Sequence, residues 1–307
     1  MSFDEVKPTQ HADVAIHCGD LTEESKIEEF RTTLQLLKNI DAPLKLVIAG
    51  NHDFTMDIPA YKKKVAELEA RESVEPELLR KVYGDYGEAR RLFEEAKAEG
   101  ITFLDEGTHR FRLQNNALLT VYASPYTPAF GDWGFQYPPV EGRDFSIEKG
   151  VDVVLTHGPP QGILDRTDNK RAGCSDLFQA VARARPRLHC FGHIHVGWGA
   201  KLVTWRDQPS EKPSHFTDID NDKSALIENL SGLRGSKFDT PEILEEKSKK
   251  LKRYEGERCR TTSHGRADPN PLHFGSQTLF VNAAIEGPSD ERPVQLPWLV
   301  DIELPSC

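Results

Sequence analysis

No apolar run in this sequence approaches 18 residues, which excludes a helical membrane span. Cysteine is scarce. Cys18, Cys174, Cys190, Cys259 and Cys307 are odd in number, widely spaced and without a C-x-x-C pair. That pattern argues against a disulfide framework or a zinc–thiolate site, so all five read as free thiols. Positive charge is in deficit, with 39 Lys and Arg against 49 Asp and Glu and a net charge of -10. An acidic surface disfavours non-specific binding to nucleic acid or to an anionic membrane. The opening residues, Met1-Ser2-Phe3-Asp4-Glu5, lack the basic and apolar regions of a secretory leader, so the expectation is a cytoplasmic protein.

What is present is a set of short apolar runs with chemistry at their ends. Asp13–Cys18 and Leu44–Ala49 read as strands delivering Gly19-Asp20 and Gly50-Asn51-His52-Asp53. Val151–Leu155 and Leu188–Phe191 deliver Thr156-His157-Gly158 and Gly192-His193-Ile194-His195. Between the first two, Ser25-Lys26-Ile27-Glu28 reads as a capping box, and Ile27, Phe30, Leu34 and Leu37 recur at helical spacing. A strand–helix–strand unit implies a parallel crossover. Strand ends of a parallel sheet converge on one edge, so four such loops in order point to one site.

The rest is coarser. Residues 59–100 read as helical. Strands follow at 101–104, 111–113 and 118–122, with a turn at Asn115-Asn116. The stretch 124–140, with Tyr126, Trp133 and Phe135, reads as an ordered aromatic loop that walls a pocket or covers the core. Residues 206–275 are polar and read as a partly disordered insertion within a single domain spanning 1–307. Strands resume at 278–283 and 298–304.

Carboxylate, amide and imidazole at strand ends suit one or two divalent cations. Their order, Gly-Asp, Gly-Asn-His-Asp, His-Gly-Pro-Pro and Gly-His-x-His, resembles the calcineurin-like metallophosphoesterase superfamily, and in phrasing its metallophosphoesterase-domain-containing branch. The resemblance covers residues 13–205 and resumes near 278–304. It implies an α/β fold of two stacked mixed sheets flanked by helices. It implies that Asp20 bridges two metals, that Asn51, His157 and His193 complete one site, and that His195 binds the other metal. By the same resemblance His52 assists catalysis and Asp53 orients it. Mn²⁺ is favoured over Fe²⁺, Zn²⁺ and Mg²⁺, and the substrate is expected to be a small phosphodiester.

One family motif is missing. No Asp-x-His occurs before Gly19, so the expectation is a chain that begins after that motif and lacks the first strand. The second metal would then keep only Asp20 and His195. This leaves a competing expectation, a catalytically impaired metal-binding or scaffold protein. His11 and His17 are expected to be structural rather than substitute ligands, Arg166 and Arg171 to be solvated, and Asn282 to be structural.

Overall fold

A computed structural model describes residues 8–71, 75–167, 170–289 and 292–305. In chain order the strands are β1 (Val14–His17), β2 (Leu44–Val47), β3 (Ile101–Phe103), β4 (Gly107–Arg112), β5 (Leu118–Ser124), β6 (Thr127–Pro128), β7 (Gln136–Tyr137) and β8 (Val153–Thr156). They continue with β9 (Leu188–Phe191), β10 (Gly199–Trp205), β11 (Ile219–Asn229), β12 (Arg260–Ser263), β13 (Gln277–Asn282), β14 (Glu286–Ser289), β15 (Arg292–Val294) and β16 (Trp298–Asp301). The helices are α1 (Ile27–Lys38), α2 (Ile58–Arg71), α3 (Pro76–Tyr83), α4 (Glu88–Glu95), α5 (Ser175–Ala184) and α6 (Pro241–Glu257). No helix of the described residues is long and apolar enough to cross a membrane.

Two sheets dominate. β1, β2 and β3 form a parallel three-stranded sheet in that order. A seven-stranded mixed sheet runs β11-β10-β13-β9-β8-β5-β4, and its centre, β5, β8, β9 and β13, is parallel. Strand alternation sorts the side chains. Leu46 and Ile48 from the small sheet meet Val121, Leu155, Cys190, Leu202 and Leu279 from the large one in a shared core. On the outer face of the small sheet, Val47, Ile101 and Phe103 pack under Phe30, Leu34 and Phe93 of α1 and α4. On the outer face of the large sheet, Val154, Val203 and Phe280 pack under Leu177, Phe178 and Val181 of α5. The result is an α/β stack of two sheets flanked by helices, and β1 stands at the end of its sheet with no strand beyond it among the described residues.

Several local expectations shift. The 59–100 stretch divides into α2, α3 and α4, with Gly84 and Gly87 both at positive φ where the chain turns. The cap of α1 moves one residue on: Glu29 Oε2 accepts from Lys26 N at 2.9 Å. Ser25 is diverted, because its buried hydroxyl bonds Thr55 Oγ1 at 2.9 Å. At the start of α5, Cys174 is the cap, with Leu177 N donating to Cys174 Sγ.

The polar stretch 206–275, expected as a partly disordered insertion, carries regular elements. It holds β11, which extends the main sheet by pairing antiparallel with β10 from Gly199↔Asn229 to Trp205↔Ile219. It also holds α6 and β12. β11 is an edge strand whose middle residues, Asn221, Asp222 and Lys223, are exposed. Its order comes from the backbone ladder, so composition does not reveal it.

Candidate metal centre

Two glycines let two loops meet. A Cβ on Gly50 would lie 2.2 Å from Asp20 N, 2.3 Å from Asp20 Oδ1 and 2.6 Å from His157 Cε1. Gly19, at φ +93°, would place one 2.5 Å from Ala49 O. Asp20 follows at φ 52°, and its Oδ1 accepts from His52 N at 2.9 Å. The loops after β1 and β2 are thereby locked together, with Asn51 buried between them.

The large sheet brings the imidazoles. His157, which follows β8, is 1% exposed. Its Nδ1 lies 2.7 Å from Cys18 O. A carbonyl only accepts, so Nδ1 carries a proton, and this partner assigns the tautomer. Nε2 then faces Asn51 Oδ1 at 2.9 Å and Asp20 Oδ2 at 3.2 Å. His193, which follows β9 at φ 63°, sets its ring 4.9 Å from that of His157. Ligand atoms of Asp20, His157 and His193 all lie within 4.8 Å of one another.

This geometry suits a cation. With neutral His157, a nitrogen lone pair and two oxygens converge with no donor among them. A second proton on the ring or a divalent ion would satisfy all three, and a carboxylate, an amide oxygen and two imidazoles suit the ion. The electrostatics fit. Burial would raise the Asp20 pKa, but the His157 charge and hydrogen bonds from His157 and His52 hold it well below the usual carboxylate range. Burial would lower the His157 pKa, but the Asp20 charge and its hydrogen bonds to Asp20 and Cys18 raise it. His193 is pushed down to about 3 by burial and by the His157 charge, which leaves it neutral and able to coordinate.

A pH dependence follows. Without a metal, the Asp20–His157 contact stabilises the fold fully below the unfolded imidazole pKa of about 6.5 and is lost as pH rises through the raised value of His157. A metal must displace that same proton. Affinity for Mn²⁺ should therefore fall about tenfold per pH unit below the raised value. Calorimetry in buffers of different ionisation enthalpy should show about one proton released per ion. Affinity that stays flat between about pH 6 and 8 would contradict this assignment.

Comparison with known proteins decides the family. The profile of the calcineurin-like phosphoesterases matches residues 2–197, well over half of the chain. The chain belongs to that family. Human metallophosphoesterase domain-containing protein 1 is 33% identical over 199 residues, covering 62% of this chain and 56% of that protein. Probable rhamnogalacturonate lyase C of Emericella nidulans is 33% identical over 196 residues, which is 63% of this chain but 16% of the lyase. The chain thus spans about half of the human relative and a small part of the fungal one. A solved structure, the TT1561 protein of Thermus thermophilus, aligns at 14% identity and TM-score 0.35 over 62% of this chain and 72% of its own.

The structure gathers Asp20, Asn51, His157 and His193, while His195 lies outside that tight group but close enough for its charge to act on His193. The Gly-His-Ile-His segment leaves β9 in a turn. His193 takes a left-handed φ and residues 195–197 make a 3₁₀ turn. His195 Nδ1 instead pairs with Glu286 Oε2 at 3.2 Å. Asn282, fully buried, holds this turn by donating from Nδ2 to Ile194 O and Leu164 O.

Asp53 is the centre of a hydrogen-bond network of its own. It accepts four hydrogen bonds, from Leu21 N, Thr22 N, Thr22 Oγ1 and Gly50 N, at 2.7–3.0 Å. Its carboxylate therefore ties the two loops together, and none of these four bonds is to the His52 ring. Burial and the Asp20 charge push its pKa up to about 7 against the pull of those donors. The His52 ring is held instead by Glu23 O, 2.6 Å from Nδ1, and by Trp133, stacked at 4.3 Å. No local signal in the sequence links 23, 52 and 133.

The remaining candidates are peripheral. Arg171 pairs with the buried Asp165 at 3.0 Å, and Arg166 is exposed. His11 pairs at the surface with Asp41. His17 has a buried Nδ1 without a hydrogen-bond partner, and burial lowers its pKa to about 4. Cys18, Cys174, Cys190 and Cys259 are buried free thiols, and Cys307 lies outside the described residues.

Proposed function

We propose that this phosphoesterase-family chain is a metal-dependent hydrolase of small phosphodiesters. One observation carries the reading: Asp20 Oδ2, Asn51 Oδ1 and His157 Nε2 face one another without an intervening donor, with His193 alongside. A bound divalent ion, Mn²⁺ by the mixed oxygen and nitrogen donors, would polarise a phosphoryl oxygen and acidify water. The four side chains would hold it, and Asp20 would offset its charge.

His52 supplies the proton. Its Nδ1–H donates to Glu23 O, so Nε2 is where the second proton of an imidazolium would sit; in that cationic form Nε2 gives the proton to the departing oxygen and the ring is left neutral. Its backbone N–H on Asp20 keeps this ring beside the cation site.

The test is the initial rate of bis(4-nitrophenyl) phosphate hydrolysis in Mn²⁺. Asn51→Ala should lower kcat/KM by about 100-fold or more, because it removes a ligand and leaves His157 Nε2 without its amide partner. A rate within about threefold of the parent would remove Asn51 from the site.

A second reading has its own observation. His195 pairs with Glu286 outside the cluster, so the chain would hold one cation and act as a metal-binding or scaffold protein. One Mn²⁺ bound per chain together with no hydrolysis would favour it.

A further inference from the structure

We infer that Trp133 is a positioning residue that sets the plane of the His52 imidazole. A ring held at its Cβ and by one hydrogen bond can still rock within the range of angles that bond tolerates. The Nδ1 contact to Glu23 O therefore narrows the direction of Nε2 without setting it fully. A stacked aromatic face removes that freedom. Trp133 supplies it: the two ring centroids are 4.3 Å apart and tilted by 31°.

The indole is itself built in. Gly134 N donates to Asn51 O at 3.0 Å, so the aromatic loop is bonded to the residue before His52. Phe135 N donates to Asp57 Oδ2 at 2.8 Å. A Cβ on Gly134 would lie 2.7 Å from Phe54 Cα, which shows how closely the two backbones approach. Lys64 Nζ lies 5.7 Å from the indole centroid, and both Lys63 and Lys64 bond Asp132. A tryptophan on an unanchored loop would gain nothing by resting on a histidine. This one is pinned on either side, to α2 through Asp132 and to the β2 exit loop through Gly134. It stays 37% exposed, so it is not there to fill the core.

The inference rests on the hydrolase reading only for its kinetic arm, and the first arm needs no turnover. In the full chain with labelled histidine and Mg²⁺, the His52 ring protons should resonate upfield under the indole ring current, with His52→Ala identifying them. Trp133→Leu should return them to the unstacked range. Unmoved resonances would overturn the inference.

The second arm is a double-mutant cycle in Mn²⁺. Trp133→Leu should lower kcat about 10- to 100-fold with KM within about twofold, as expected when an acid is misaligned but present. Trp133→Phe, which keeps an aromatic face, should stay within about threefold. In a His52→Ala background, Trp133→Leu should change kcat by less than about twofold. An equal loss in both backgrounds would overturn the inference, since Trp133 would then act on substrate or fold. Absence of hydrolysis in the parent protein would defeat the hydrolase reading, and the histidine spectra alone would then decide the inference.

Discussion

Gly50→Ala is expected to abolish metal binding. The added methyl would lie 2.2–2.3 Å from Asp20 N and Oδ1 and 2.6 Å from the His157 ring. None of these neighbours can give way cheaply. Asp20 N is backbone, Asp20 Oδ1 is bonded to His52 N, and His157 is clamped by Cys18 O. Overpacking in a closed core costs about 1–3 kcal/mol, which a chain of this size can survive. The ligand geometry cannot, because a metal needs donors within about 0.2 Å of their places. Calorimetry should show Mn²⁺ affinity weakened by at least about 100-fold, with the melt still cooperative. Near-parental affinity in Gly50→Ala would show that the two loops do not meet as described.

Asp53→Ala should damage the fold rather than the chemistry alone. The carboxylate is fully buried and takes three backbone N–H groups and the Thr22 hydroxyl. Thr22 in turn accepts from Ser25 N, and Ser25 bonds Thr55, so the network runs through four buried residues. Removing its centre orphans several donors, each worth about 1–3 kcal/mol when buried and unpaired. A loss of about 3–5 kcal/mol and a fall in Tm of about 10 °C follow. Had Asp53 served only to orient His52, the same variant would lose turnover at unchanged Tm. A melt within about 2 °C of the parent would restore that simpler role.

The chemistry of the site was legible in the sequence because each part is local. An apolar run, a glycine and a ligand side chain are neighbours along the chain at Gly19-Asp20, Gly50-Asn51, Thr156-His157 and Gly192-His193. Burial of the runs then carries the side chains to the sheet edges. What stayed hidden depends on contacts between distant segments or on one backbone angle. The left-handed φ of His193 turns His195 toward Glu286, and two histidines separated by one residue do not announce it. The partner of Asp53 lies 31–32 residues upstream on another loop. β11 carries Asp220, Asn221, Asp222 and Lys223, residues that depress strand propensity, yet it is held by the backbone of β10.

The four clustered side chains come from different sheets. Asp20 and Asn51 hang from the three-stranded sheet, while His157 and His193 hang from the seven-stranded one. A bound ion would thus act as a rivet between two layers that otherwise meet through apolar packing and the His157–Cys18 hydrogen bond. Binding energy spent there becomes cohesion of the whole stack. Chelation should then loosen the molecule along the seam between its sheets, opening first the layer formed by β1, β2 and β3 with α1 and α4.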